Sequence, residues 1–124
     1  MTIPLDLHYT RDHEWVRLDG DIATIGITDH AQEELSDVVF VELPDLGEVE
    51  SAAAVAVVES VKAASDIYTP LAGEITEVNI DLVTDPSKIN TVPYQAGWIF
   101  KMKLADPGAV NSLMDAEAYK SFVS

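Results

Sequence analysis

The sequence predicts a mainly β domain, a sandwich or barrel of short strands, with a short helix near 29–35 and helical turns at the C-terminus. Three observations predict it. Several short runs alternate apolar with polar residues, the signature of half-buried strands. Turn residues separate those runs, and one of the turns is Asp19-Gly20 between two alternating segments. The last residues, DPGAVNSLMDAEAYKSFVS, carry helix-capping signals in place of alternation.

The first two strands are EWVRL (14–18) and IATIGIT (22–28), joined through Asp19-Gly20, which predicts a type I′ hairpin turn. In TDHAQEELS, Thr28 or Asp29 can cap a short helix, and Gln32 stands three residues after Asp29 as a capping box requires. VVFVEL (38–43) is β-branched and aromatic, and Pro44 ends it. AAAVAVVE (52–59) has alanines that favour a helix, but Val55, Val57 and Val58 without a polar helical face favour a strand. SDIYT (65–69) is the next strand, stopped by Pro70, so residues 60–64 form the tip of a hairpin. Gly73 turns the chain into a run with Ile75, Val78 and Ile80, and DPSKINTVPYQAGW reads as loop. Trp98, Phe100, Met102 and Leu104 share one face of a strand, with Lys101 and Lys103 on the other. Asp106 caps the tail, Pro107 suits a first turn, Val110, Leu113 and Met114 share a face, and Asp115 caps a second helix. LGEVE (46–50) is echoed by AGEIT (72–76), which predicts two similar β units flanking the central hairpin.

The chain has 124 residues and a net charge of −15, from 22 acids and 7 Lys or Arg. That charge repels phosphate backbones and anionic lipid, so neither nucleic acid nor membrane is an expected partner. Without cysteine there is no thiol nucleophile, thiolate metal site or disulfide. His8, His13 and His30 read as surface histidines, since HEWVR (13–17) lacks the second histidine of H-E-x-x-H. No phosphate-binding glycine loop, G-x-S-x-G elbow or calcium loop is present. The N-terminus lacks the pattern of a signal or transit peptide.

One cation is conspicuous. Residues 18–87 contain sixteen Asp or Glu and a single Lys or Arg, Lys62. Most lysines are solvated surface charges. Lys62 differs in lying at a hairpin tip between apolar strands, among the small residues Ser60, Ala63, Ala64 and Ser65. A Schiff-base lysine needs a desolvated pocket, whereas a lysine presented at a tip suits acylation by another enzyme.

ESVKA (59–63), continuing through ASDIYTPLAGEITEVN to Asn79, resembles the lipoylation segment of the glycine cleavage system H protein family. HEW (13–15), IGIT-x-x-AQ (25–32), VVFVELP (38–44) and PY-x-x-GW (93–98) resemble the same family in the same order. Methionines flank the lysine of biotin carriers, and D-K-A is favoured in 2-oxo-acid dehydrogenase lipoyl domains. Here the neighbours are Val61 and Ala63 in place of methionines, and Val61 stands where D-K-A has aspartate.

The resemblance implies a barrel-sandwich hybrid of two antiparallel sheets. It implies one lipoyl-carrier domain over 1–124, with a hairpin core at about 38–104 and a helical segment at about 106–123. Lipoic acid would be amide-linked to Lys62. The arm would shuttle the aminomethyl group of glycine from the pyridoxal-phosphate glycine decarboxylase (P protein) to the tetrahydrofolate-dependent aminomethyltransferase (T protein). Dihydrolipoamide dehydrogenase (L protein) would reoxidise it. The chain itself would be a monomeric, non-catalytic carrier, cytoplasmic in a bacterium or in the mitochondrial matrix for a processed eukaryotic form. The alternative is a lipoyl relay that donates lipoate to other complexes. Glu59 is the expected recognition residue for lipoate-attaching enzymes. Glu14 and Asp66 are the expected acids for the cationic load in a cleft. The chain departs from the family at Ser36, where L-G-D is common, at Ser51–Ala54, where a glycine-bearing turn is usual, and at Glu34, where some members carry histidine. Ser36 must then adopt whatever backbone shape glycine usually supplies, and a positive φ there would cost stability.

Overall fold

In the computed structural model, which describes residues Met1–Ser124, the alternating runs form nine strands in two antiparallel sheets. The larger sheet has the order β1-β2-β3-β9-β8-β5, from His8–Tyr9 (β1), Glu14–Asp19 (β2), Ile22–Ile27 (β3), Phe100–Leu104 (β9), Gly73–Val78 (β8) and Gly47–Val49 (β5). The smaller sheet has the order β4-β6-β7, from Val38–Glu42, Ala54–Ser60 and Ala64–Tyr68. The two sheets form an open sandwich, as expected for the hybrid, and no barrel closes.

Period-2 alternation builds the core between them. Val16, Ile25, Ile75, Phe100 and Met102 from the large sheet meet Val41, Val58 and Ile67 from the small one. A second cluster, with Leu7, Tyr9, Trp15, Tyr94, Ala116 and Tyr119, docks the C-terminal helix on the outside. The Trp15 indole lies against Gly26, its cross-strand partner, where a Cβ would meet ring atoms at 2.7 Å. The glycine of IGIT thus makes room for the tryptophan of HEW.

Several expectations are refined. The first hairpin turns on Gly20-Asp21, with Asp19 paired to Ile22. Only Gly20 has positive φ (66°), so the turn is not type I′, which needs it at both central residues. Thr28 caps helix α1 (Asp29–Leu35) by accepting Ala31 N–H at 3.2 Å, and the Gln32 amide bonds Asp29. The run after Gly73 does not alternate strictly. A bulge between Ile75 and Glu77 breaks the period, and Ile80 is exposed. The stretch read as loop contains a helical turn, α3 (Lys88–Thr91), preceded by α2 (Asp81–Thr84); their inward Leu82 and Ile89 are fully buried. Asp106 does cap, but it starts a 3₁₀ segment, Pro107–Ser112. Leu113 is extended and Met114 bridges to Tyr9, so Val110, Leu113 and Met114 do not form one helical face. Asp115 caps α4 (Ala116–Val123) through Ala118 N–H at 2.8 Å.

The sequence echo has a spatial meaning. Its two copies are β5 and β8, which pair antiparallel with Glu48 opposite Glu74. Between β5 and β6 there is no hairpin. The turn at Ser51–Ala53 carries the chain from one sheet to the other, with Ala52 at φ 66° and its N–H on Thr69 O at 2.8 Å. No helix is long and apolar enough to cross a membrane.

Candidate functional site around Lys62

Strands β6 and β7 pair from Ala54↔Tyr68 to Glu59↔Ala64, leaving Val61, Lys62 and Ala63 at the tip. The tip is ordered by its own serine. Ser60 Oγ accepts N–H groups from Lys62 (3.1 Å) and Ala63 (3.0 Å), and Ser60 N–H donates to Ala63 O at 2.7 Å. Val61 N–H ties the tip to Asp37 O at 3.0 Å, where β4 begins. Lys62 is exposed on this fixed backbone. Its ammonium donates to the carbonyl of Glu34 at 3.1 Å, in the last turn of α1, where helix carbonyls lack partners and a cation is favourable.

Glu14 is 1% exposed. Its carboxylate accepts the Thr10 hydroxyl at 2.7 Å and Tyr68 N–H at 3.2 Å. Burial pushes its pKa up to about 7, against the pull of those two donors. Tyr68 belongs to the free edge of β7, so Glu14 joins the large sheet to the strand that leaves the lysine tip. Beside it lies a cavity of about 200 Å³ lined by Thr10, Arg11, Asp12, Tyr68, Met114 and others.

The structure does not gather all the expected residues. Asp66 is exposed on β7, paired with Val57, and does not line that cavity. Glu59 is exposed three residues before Lys62, with Phe40 opposite on β4 and Ala64 on β7. From Lys62 to Tyr68 is six residues, roughly 20 Å of extended chain, beyond the reach of a bare lysine side chain.

Other residues near the tip were not legible. His13 and His30 do not lie apart on the surface. Their ring centroids lie 4.6 Å apart with the planes tilted by 36°, His13 Nδ1 bonds the Tyr119 hydroxyl at 2.8 Å, and His30 pairs with the Glu34 carboxylate. Burial, and then His30, push the His13 imidazole below its ordinary value. His13 has φ 67°, which periodicity in HEW does not signal. Asn90 joins the α1–β4 corner. Its amide donates to Ser36 O (2.8 Å) and Gln32 Oε1 (3.0 Å), and its oxygen accepts Val38 N–H (2.8 Å). Ser36 adopts φ 68°, ψ −153°, a backbone conformation that favours glycine.

Two open sheets with a lysine at the tip of the hairpin in the smaller one define the fold class of lipoyl- and biotinyl-type carrier domains. The chain belongs to the glycine cleavage H-protein family, whose model matches residues 7–124. It is 58% identical over 124 residues to the glycine cleavage system H protein of Methylacidiphilum infernorum, covering 99% of this chain and 97% of that one. It is 55% identical over 121 residues to that of Thermus thermophilus, covering 97% and 94%. The crystal structure of a glycine cleavage system H protein from Mycobacterium marinum superposes with a TM-score of 0.87 at 40% identity, covering 96% of this chain and 97% of that one.

Proposed function

We propose that this chain is the lipoyl-bearing carrier of a glycine cleavage system, with lipoic acid amide-linked to Lys62. The observation that carries the proposal is Lys62 itself, the single Lys or Arg of residues 18–87, exposed on a hydrogen-bonded hairpin tip. When attached, the lipoyl group supplies the disulfide–dithiol chemistry that holds the aminomethyl unit between enzymes. The chain's own residues present, shelter and release. Ser60 fixes the backbone under the lysine. Glu14 offers a buried carboxyl, poised near neutrality, to a cationic amine. An ammonium brought against it favours the ionised form and supplies a charge-assisted hydrogen bond. Asp66 adds a second negative charge on β7, the strand that leaves the lysine tip, and Glu59 belongs to the surface read by lipoate-attaching enzymes. In this reading the chain is a non-catalytic subunit served by the decarboxylase, the aminomethyltransferase and dihydrolipoamide dehydrogenase. A monomer folded as one domain over 1–124 suffices for that role.

Intact-mass spectrometry of the chain co-expressed with lipoylating enzymes tests the assignment. One lipoyl mass should be gained by the wild type and none by Lys62→Arg; gain in the variant overturns the site. The lipoylated protein should then stimulate glycine–bicarbonate exchange by a pyridoxal-phosphate glycine decarboxylase. A pure lipoyl relay would give no stimulation.

A further inference from the structure

Strand β4 is an edge of the small sheet, and a bulge interrupts its pairing with β6. A register break between Val38 and Phe40 leaves Val39 as the extra residue of a bulge, between the pairs Val38↔Ser60 and Phe40↔Glu59. Regular alternation would bury one of two consecutive side chains. Here both are exposed, Val39 at 54% and Phe40 at 50%. Val61, 69% exposed, lies one strand spacing away, its N–H on Asp37 O. Val61 precedes Lys62 at the tip, Val39 and Phe40 lie on the strand paired with Ser60 and Glu59, and the exposed acids Asp37 and Glu59 flank them.

We infer that the bulged edge of β4, with Val39, Phe40 and Val61 at its centre, is the docking surface for the enzyme that acylates Lys62. The inference rests on the lipoyl-lysine reading above. Reach selects this occupant over others. An enzyme that works at the far end of a lipoyl arm need not touch the chain at the root of that arm. An enzyme that forms the amide must bring its activated acyl group to Nζ, so it covers whatever surrounds the Lys62 side chain. It must also draw Nζ away from the Glu34 carbonyl, to which the ammonium donates at 3.1 Å. With a ligase using lipoate and ATP, the Nζ–C bond forms as the C–O bond of the acyl adenylate breaks. AMP leaves, and the protons shed by the ammonium pass to solvent. The patch asks for an apolar, aromatic-accepting surface rimmed with Lys or Arg, since the chain's own acids form the border.

The test is ATP-dependent lipoylation by purified lipoate ligase, followed by intact mass, for the wild type, Val39→Ser, Phe40→Ser and Val61→Ser. Leu46→Ser, at an exposed apolar site before β5 in the other sheet, is the control. Melting curves establish that each variant is folded. If Phe40→Ser is not, Val61→Ser carries the test, because its side chain lies in the turn outside both strands. The expected result is at least a tenfold rise in KM for the carrier in the Phe40 and Val61 variants. kcat should stay within twofold, Leu46→Ser should match wild type, and KM should rise with salt. Three outcomes overturn the inference: wild-type KM in all patch variants; normal lipoylation with lost decarboxylase stimulation, which gives the patch to the decarboxylase; or a wild-type dimer that Phe40→Ser dissociates, which gives it to a second copy. A wild type that accepts no lipoate on Lys62 would instead refute the lipoyl-lysine reading.

Discussion

The Glu14 carboxylate accepts the backbone N–H of Tyr68 at 3.2 Å, and with it the large sheet closes the free edge of the strand leaving the lysine tip. An isolated apolar residue could not do this, because the Tyr68 N–H would then be left without a partner. A carboxylate does so at the cost of its own desolvation. Glu14 therefore holds the sheets together best when it carries a proton or when a cation faces it.

The first consequence is a pH dependence of stability. In the unfolded chain Glu14 titrates near its ordinary value of 4.5, and in the folded chain near 7. Between those values the folded state holds a proton that the unfolded state has lost, so this group's contribution falls as pH rises through the window. A shift of that size corresponds to about 3 kcal/mol in total. Urea unfolding at pH 5 and pH 7.5 should show the decline in wild type and a flatter profile in Glu14→Gln. An unchanged slope in the variant would show that other groups set it.

The same substitution should separate loading from lipoylation. Glu14→Gln leaves the hairpin tip untouched, so the lipoyl mass on Lys62 should be unaffected. Losing one charge-assisted hydrogen bond, roughly 1.5–3 kcal/mol, should weaken glycine–bicarbonate exchange roughly 10- to 100-fold. Exchange at wild-type rates would remove Glu14 from the load's binding site. Asp66, being exposed and away from the cavity, should give a smaller loss when changed to Asn.

Ser36 should be a site of easy stabilisation. At φ 68°, ψ −153° its Cβ is strained, a conformation that costs on the order of 1–3 kcal/mol outside glycine. Its side chain makes no hydrogen bond, while its backbone N–H and C=O are both satisfied by Gln32 and Asn90. Ser36→Gly therefore loses no contact. After the extra unfolded-state entropy of glycine, it should gain about 1 kcal/mol, or about 4 °C in Tm for a chain of this length. A lower Tm would mean that the strain is not real.

Much of this molecule is legible in the residues, for identifiable reasons. Val16, Ile25, Phe100 and Met102 face one core, so period-2 alternation finds their strands. Pro44 and Pro70 mark the ends of β4 and β7, and the single basic residue of 18–87 marks the tip. Other features are invisible because they depend on partners distant in sequence. The bulge at Val39 is set by pairing with β6, not by its own segment. The loop reading of 85–98 missed a helical turn whose Ile89 is fixed by the core. His13 and His30 are 17 positions apart, and only the turn into α1 brings their rings together. The burial of Glu14 is likewise a property of Thr10 and Tyr68 together, although its strand position was plain.

Asn90 gives the last prediction, because one side chain satisfies three partners at the corner that carries the tip. Its oxygen accepts Val38 N–H at 2.8 Å, and its amide donates to Ser36 O at 2.8 Å and Gln32 Oε1 at 3.0 Å. From Val38 the path is short: Asp37 O receives Val61 N–H, one residue from Lys62. Asn90→Ala leaves the part-buried Val38 donor unpaired, while the exposed Ser36 carbonyl turns to water, and should cost about 1–3 kcal/mol. Asn90→Asp keeps the acceptor for Val38 but sets a carboxylate against Ser36 O and Gln32 Oε1, so it should cost at least as much. Hydrogen exchange locates the damage. The Val38 and Val61 amides should accelerate in both variants by more than the global loss of stability, while the Ile25 and Met102 amides of the large sheet accelerate by that global loss alone. Uniform acceleration across both sheets would mean that Asn90 supports overall stability and has no particular hold on the lysine tip.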